Sequence, residues 1–219
     1  MRFQFGFRII SAALASILGW FALTTIFAES LTPHPPPLSS RMPAEVDLRF
    51  NRTLAHWAAT SAPLRGDLLA RLALADAVPV LKRGTNAKPS RVSPVDEDIA
   101  TLARQSLSFT PYDSRMWLLL AMADTTEELA EEALRMSYLT AQADPDLVPV
   151  RLETLCNSAA VTDPELASLA RNDIRIMLTH SAELKSAFFE IYGRCPTSSK
   201  NRLYEIVRSV DANLASSLR

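Results

Sequence analysis

Glycine is scarce in this chain. There are 5 among 219 residues, and two of them, Gly6 and Gly19, lie close to the N-terminus. So few glycines, with alanine and leucine abundant, exclude phosphate-cradling loops and argue against a β-rich fold. Histidine is also rare: His34, His56 and His180 stand far apart, and none shares a helical turn with a cysteine or a carboxylate pair in a metal-site pattern. His56, beside Trp57, reads as a packed or surface side chain, and His180 as a helix-terminal one. No G-x-S-x-G, no P-loop and no dinucleotide fingerprint is present. The chain also lacks a charge excess. Without Arg2 and Arg8 the 23 basic residues fall to 21 against 24 acidic ones, about −3, so no basic footprint for nucleic acid exists. Cofactor and metal sites are not expected.

What the chain does have is apolar residues, 48% of the total, enough for a sizeable core. They begin at the N-terminus. Residues 1–8 carry two arginines and no acid, and residues 9–28 (IISAALASILGWFALTTIFA) carry no charge at all. Twenty residues at ~1.5 Å each span about 30 Å, the thickness of a bilayer core. The segment reads as an uncleaved transmembrane anchor. The rival reading is a cleaved signal peptide, but Ile26 is a poor residue two places before a cut after Ala28. Arginines ahead of the span favour an N-in orientation, and either reading exports the rest.

Residues 29–45 follow as a proline-rich linker; Pro33, Pro35, Pro36, Pro37 and Pro43 fix φ and remove donors. It reads as a semi-rigid spacer, with a PxxP recognition motif at 33–36 as the functional alternative. The remainder, 46–219, reads as one all-helical domain. Pro63 opens a helix to Val78, where Pro79 ends or interrupts it. The loop 82–93 holds Lys82, Arg83, Lys88 and Arg91, either solvated or touching an anionic group. Ser93-Pro94 starts a helix with Ile99, Leu102, Ala103, Ser106 and Leu107 on one face. A helix from Asp113 carries Trp117 to Met122. Thr125 and Glu128 have capping-box spacing for the next, which is expected to bury Leu129, Ala133, Leu134, Tyr138 and Ala141. Its Glu127, Glu128, Glu131 and Glu132 form an acidic face, solvated or, alternatively, a cation or acid/base site.

Asp144-Pro145 opens a helix to Ala160, Asp163-Pro164 one to Thr179, and Ser181 a short one to Gly193. Thr197 or Ser198 caps a last helix to Leu218. No segment alternates like a strand. Short links and repeated caps predict stacked antiparallel helix hairpins. Cys156 and Cys195 are the only cysteines. In an exported domain they form either a disulfide or buried free thiols.

Residues 114–147 (SRMWLLLAMADTTEELAEEALRMSYLTAQADPDL) resemble one tetratricopeptide repeat. Trp117, Leu120 and Ala121 fit its first helix, Ala133 the small residue where the helices cross, and Pro145 the closing proline, 34 residues after Pro111. Asp124 stands where tyrosine is usual, and Ser137 where phenylalanine is usual. The flanking helices match in outline only, so the resemblance implies a degenerate tetratricopeptide-like stack. With SLSFTPYDSRMWLLLA and LRMSYLTAQADPDLVPVRL, the chain resembles small membrane-anchored tetratricopeptide-like proteins of the bacterial envelope, which accompany polysaccharide synthesis and export machinery. That resemblance implies a single-pass inner-membrane protein with a periplasmic domain that is non-enzymatic and binds protein partners. It also implies a partner groove at Arg115, Leu118, Met122 and Thr125, with Leu118 also readable as core. The alternative is a glycan-binding subunit or an enzyme with a site of dispersed residues.

Overall fold

The computed structural model describes residues 2–31, 65–84, 94–123, 126–141 and 144–218. The proline-rich spacer, His34, His56, the start of the helix at Pro63, residues 85–93 and Thr125 lie outside the described residues. Every described element is a helix, and no strand occurs among the described residues.

The first helix, α1 (Arg2–Leu31), contains a stretch, Ile10–Ser30, long and apolar enough to cross a membrane. Its apolar side chains, Ile10, Leu14, Ile17, Trp20 and Leu23 among them, are exposed. In water that surface would be costly; in a bilayer it is the solvated surface. The helix runs past the expected end of the span at Ala28 as far as Leu31.

The helix α2 (Gly66–Gly84) passes through Pro79 instead of ending there. One lost hydrogen bond and a ring clash cost about 3 kcal/mol. The buried face of Leu68, Leu69, Leu72, Ala73 and Ala77 offsets that cost, since each fully buried leucine contributes about 2 kcal/mol. That face packs on α3 (Pro94–Phe109), whose expected stripe is buried in full. The two helices approach closely at Gly66. A Cβ there would meet the Phe109 Cβ at 2.8 Å and the Ser106 carbonyl oxygen at 3.1 Å, and the Ser106 hydroxyl donates to the Gly66 carbonyl at 2.9 Å.

Next come α4 (Ser114–Ala123) and α5 (Glu127–Thr140), the most extensively packed pair. Asp113 caps α4 by accepting from the Arg115 amide at 3.0 Å. Leu118, Leu119, Leu120 and Ala121 are all buried, because α3 and α5 cover most of the helix and α2 and α6 touch it too. The N-cap of α5 is Thr126, not Thr125. Two core assignments on α5 need correction. Leu129 is 54% exposed, because it sits in the acidic first turns that face outward, and Ala141 lies past the helix end.

The C-terminal half is built around α7. Its members are α6 (Val148–Cys156), a 3-10 turn (Ala159–Thr162), α7 (Pro164–Thr179), α8 (Ala182–Arg194), α9 (Thr197–Val210) and α10 (Ala212–Ser217). Pro149 sits in the first turn of α6, after a turn at 145–147. This helix stops at Cys156, short of Ala160, where the Asn157 side chain donates to the Glu153 carbonyl at 2.8 Å. Asp163 caps α7 through the Leu166 amide at 2.8 Å, and Ser181 caps α8 through the Leu184 amide. The N-cap of α9 is Pro196, not Thr197 or Ser198. The expected single last helix is split at Asp211, whose carboxylate accepts from the Asn213 and Leu214 amides and starts α10. α7 packs on α6, α8, α9 and the 3-10 turn.

Candidate partner face and the junction beneath it

The candidate groove residues separate into two groups. Arg115 and Met122, two helical turns apart on α4, are both exposed, and Met122 is 37% accessible. Leu118 between them is buried completely and belongs to the core. Thr125 lies outside the described residues. Beside this face, Tyr112 stands exposed in the turn before α4, and the Trp117 indole N–H donates to the Pro111 carbonyl at 2.8 Å. The face therefore offers a cation and a soft apolar side chain on a helix whose other sides are fixed by packing.

What fixes the start of α4 is a polar network that the sequence pattern did not single out. The Ser137 hydroxyl of α5 donates to the Ser114 carbonyl at 2.9 Å. Arg151 of α6, fully buried, donates from Nε to the Ser137 hydroxyl at 3.1 Å and from Nη2 to the Ser137 carbonyl at 2.6 Å. Its guanidinium also lies 5.1 Å from the centre of the Tyr138 ring, a cation–π distance. So Ser137 is the acceptor for a buried arginine. Three helices, α4, α5 and α6, meet through one residue.

Asp173 of α7 completes the cluster. It is fully buried, and neither carboxylate oxygen has a hydrogen-bond partner. The Tyr138 hydroxyl and Arg151 Nη1 are likewise buried without one. Burial raises the Asp173 carboxyl to about 7; the nearby Arg151 charge and the Tyr138 hydroxyl pull the other way and do not compensate. Burial also pushes the Tyr138 phenol well up and lowers the Arg151 guanidinium, which remains a cation. Tyr138 and Asp173 sense each other electrostatically but stop short of hydrogen-bond geometry.

A second polar link joins α5 to the start of α7 at the surface. Arg135 is surrounded by four carboxylates: Glu131 at 3.1 Å, Glu132, Asp163 at 3.3 Å and Glu165 at 3.1 Å. Part of the acidic face thus serves as counter-charge to one guanidinium. The Asp163 carboxyl is held below its ordinary range, first by the Leu166 amide it caps and then by the other groups around it, Arg135 included.

Cys156 and Cys195 form a disulfide with 5.7 Å between their Cα atoms. It ties the end of α6 to the end of α8, and the Glu153–Arg194 ion pair at 3.2 Å joins the same two helix ends. Among the described residues no group of three or more His, Cys, Asp or Glu side chains is arranged to hold a metal ion. His180 is exposed at the C-cap of α7.

A signal for the missed cluster was present. Asp173 falls on the apolar stripe of α7, in register with Leu166, Ala170 and Met177, and Arg151 falls between Val150 and Leu152 on α6. A charge at a core position of an amphipathic helix requires a buried partner. Comparison with known protein families, with curated proteins and with solved structures finds no match.

Proposed function

We propose that this is a single-pass membrane protein whose helical domain is a non-enzymatic, tetratricopeptide-like module that binds or organises other proteins. The likeness of residues 114–147 to one repeat suggests an inner-membrane anchor, a periplasmic domain and a setting in polysaccharide assembly. The observation that carries the reading is the α4 face. Arg115 and Met122 are exposed on a helix that is otherwise buried and is locked at its start by Ser114, Ser137 and Arg151. A rigid element with a cation and a polarisable apolar group suits a peptide or a partner helix. The disulfide favours an oxidising compartment, in keeping with export of the domain.

The test is chemical crosslinking in native membranes followed by pull-down, comparing wild type with the Arg115→Glu, Met122→Ser double variant. The reading expects a protein adduct that the double variant loses. A wild-type pull-down with no protein, together with glycan binding by residues 44–219, overturns it. N-terminal sequencing of the mature protein tests the anchor, since a chain beginning near Glu29 lacks it.

A further inference from the structure

We infer that the turn between α3 and α4 rests on the lipid surface, with Phe109 and Tyr112 as interfacial contacts that set the domain against the bilayer. The inference rests on the membrane-anchor reading of α1. Three observations place the turn beside the end of the apolar span. Ala28, in the last turns of α1, is 1% exposed although Ile26 is 70% exposed, so the helix end is covered. Glu29 Oε1 lies 3.8 Å from Arg65 Nη2. Arg65 adjoins Gly66, where an added Cβ would meet the Phe109 Cβ at 2.8 Å and the Thr110 Cγ2 at 3.2 Å. The anchor end and the turn are therefore one arginine side chain apart, and the bilayer interface is where the span ends, near Ser30.

The chemistry of the turn fits that location. Phe109 is 46% exposed and Tyr112 83% exposed. A tyrosine such as Tyr112 favours the headgroup layer, where the ring is partly dehydrated and the hydroxyl stays hydrated, and the Phe109 ring adds apolar area to the same contact. The turn is also preformed. The Thr110 amide and hydroxyl both donate to the Ser106 carbonyl at 2.9 Å, and the Asp113 amide donates to the Thr110 carbonyl at 3.1 Å. Little ordering is left to oppose insertion.

The consequence is a fixed attitude of the domain. The anchor and the aromatic turn give two points of attachment, and the short spacing between them makes the second, weaker contact effectively intramolecular.

The test uses the full chain reconstituted into phosphatidylcholine–phosphatidylglycerol vesicles. A polarity-sensitive fluorophore is attached through Tyr112→Cys in one sample and through Ser186→Cys, on the exposed side of α8, in another. The native cysteines are held in the disulfide, and both positions are exposed, so neither substitution disturbs packing. The expected result is a blue-shifted probe at 112, quenched several-fold by lipids spin-labelled near the headgroup, with no quenching at 186. Equal quenching at both positions, or none at 112 in protein that floats with the vesicles, overturns the lipid contact and leaves the anchor standing. Protein that does not float overturns both.

Discussion

Stability should fall with pH through the neutral range because of Asp173. Its carboxyl is raised from 3.8 to about 7 in the folded protein. The folded state therefore holds this proton more tightly than the unfolded chain does. The associated stabilisation is complete below about pH 4 and is lost as pH rises through about 7. With one pKa unit worth about 1.4 kcal/mol, the loss between pH 5 and pH 8 comes to roughly 2–3 kcal/mol from this one group. Asp67 and Asp163, both shifted down, complete their titration below that window and add nothing to the slope. Asp173→Asn keeps the shape and removes the charge, so it mimics the protonated acid. Urea unfolding of the detergent-solubilised full chain, followed by circular dichroism, gives both stabilities at each pH. Between pH 5 and pH 8 the variant should hold its stability while the wild type loses roughly 2–3 kcal/mol, so the gap between the two widens by that amount. Parallel curves for the two proteins would refute the reasoning, because they would mean that Asp173 titrates as an ordinary acid.

Removing the disulfide with the Cys156→Ser, Cys195→Ser pair should cost roughly 4 kcal/mol in the chain-entropy model for a bridge spanning 39 residues, read as a lower urea midpoint. Gly66→Ala should destabilise by about 1–3 kcal/mol, since the new Cβ meets Phe109 at 2.8 Å, and thermal melting checks it. Asp163→Ala should cost about 1 kcal/mol through the lost cap on α7, with some further loss because Arg135 is left with fewer carboxylates; equal stability of the two proteins would contradict the capping geometry.

The helical architecture was legible because local signals agreed. On α3 the apolar spacing from Ile99 to Leu107 named the buried face. On α7 the run Asp163-Pro164-Glu165 named the first turn, since cap, fixed φ and dipole all point one way. The misplacements came where tertiary contacts overrode local rules. Pro79 is carried inside α2 because the face that precedes it, from Leu68 to Ala77, is worth burying. Asp211 splits the last helix because its carboxylate competes for the amides beyond it. Leu129 reads as core by composition, yet it stands on the acidic side of α5 and stays exposed.

For the candidate site, helical spacing puts Arg115, Leu118 and Met122 on one face of α4, and only the packing of the neighbouring helices separates the buried Leu118 from the exposed Arg115 and Met122. The Arg151–Ser137–Ser114 connection was not. Charged residues are assumed to be solvated, and only the meeting of α4, α5 and α6 turns Arg151 inward. Ser137, noted only as a departure from the repeat pattern, takes its meaning from that arginine.

The account's central claim is that the α4 face meets a protein partner at the membrane. The most direct measurement places a photo-crosslinking side chain at Met122 and, separately, at Ser186 on α8, in the full-length protein in its native membrane. The account predicts a discrete protein adduct at 122, abolished by Arg115→Glu, and none at 186. Absence of any adduct at 122, or equal adducts at both positions, would contradict it.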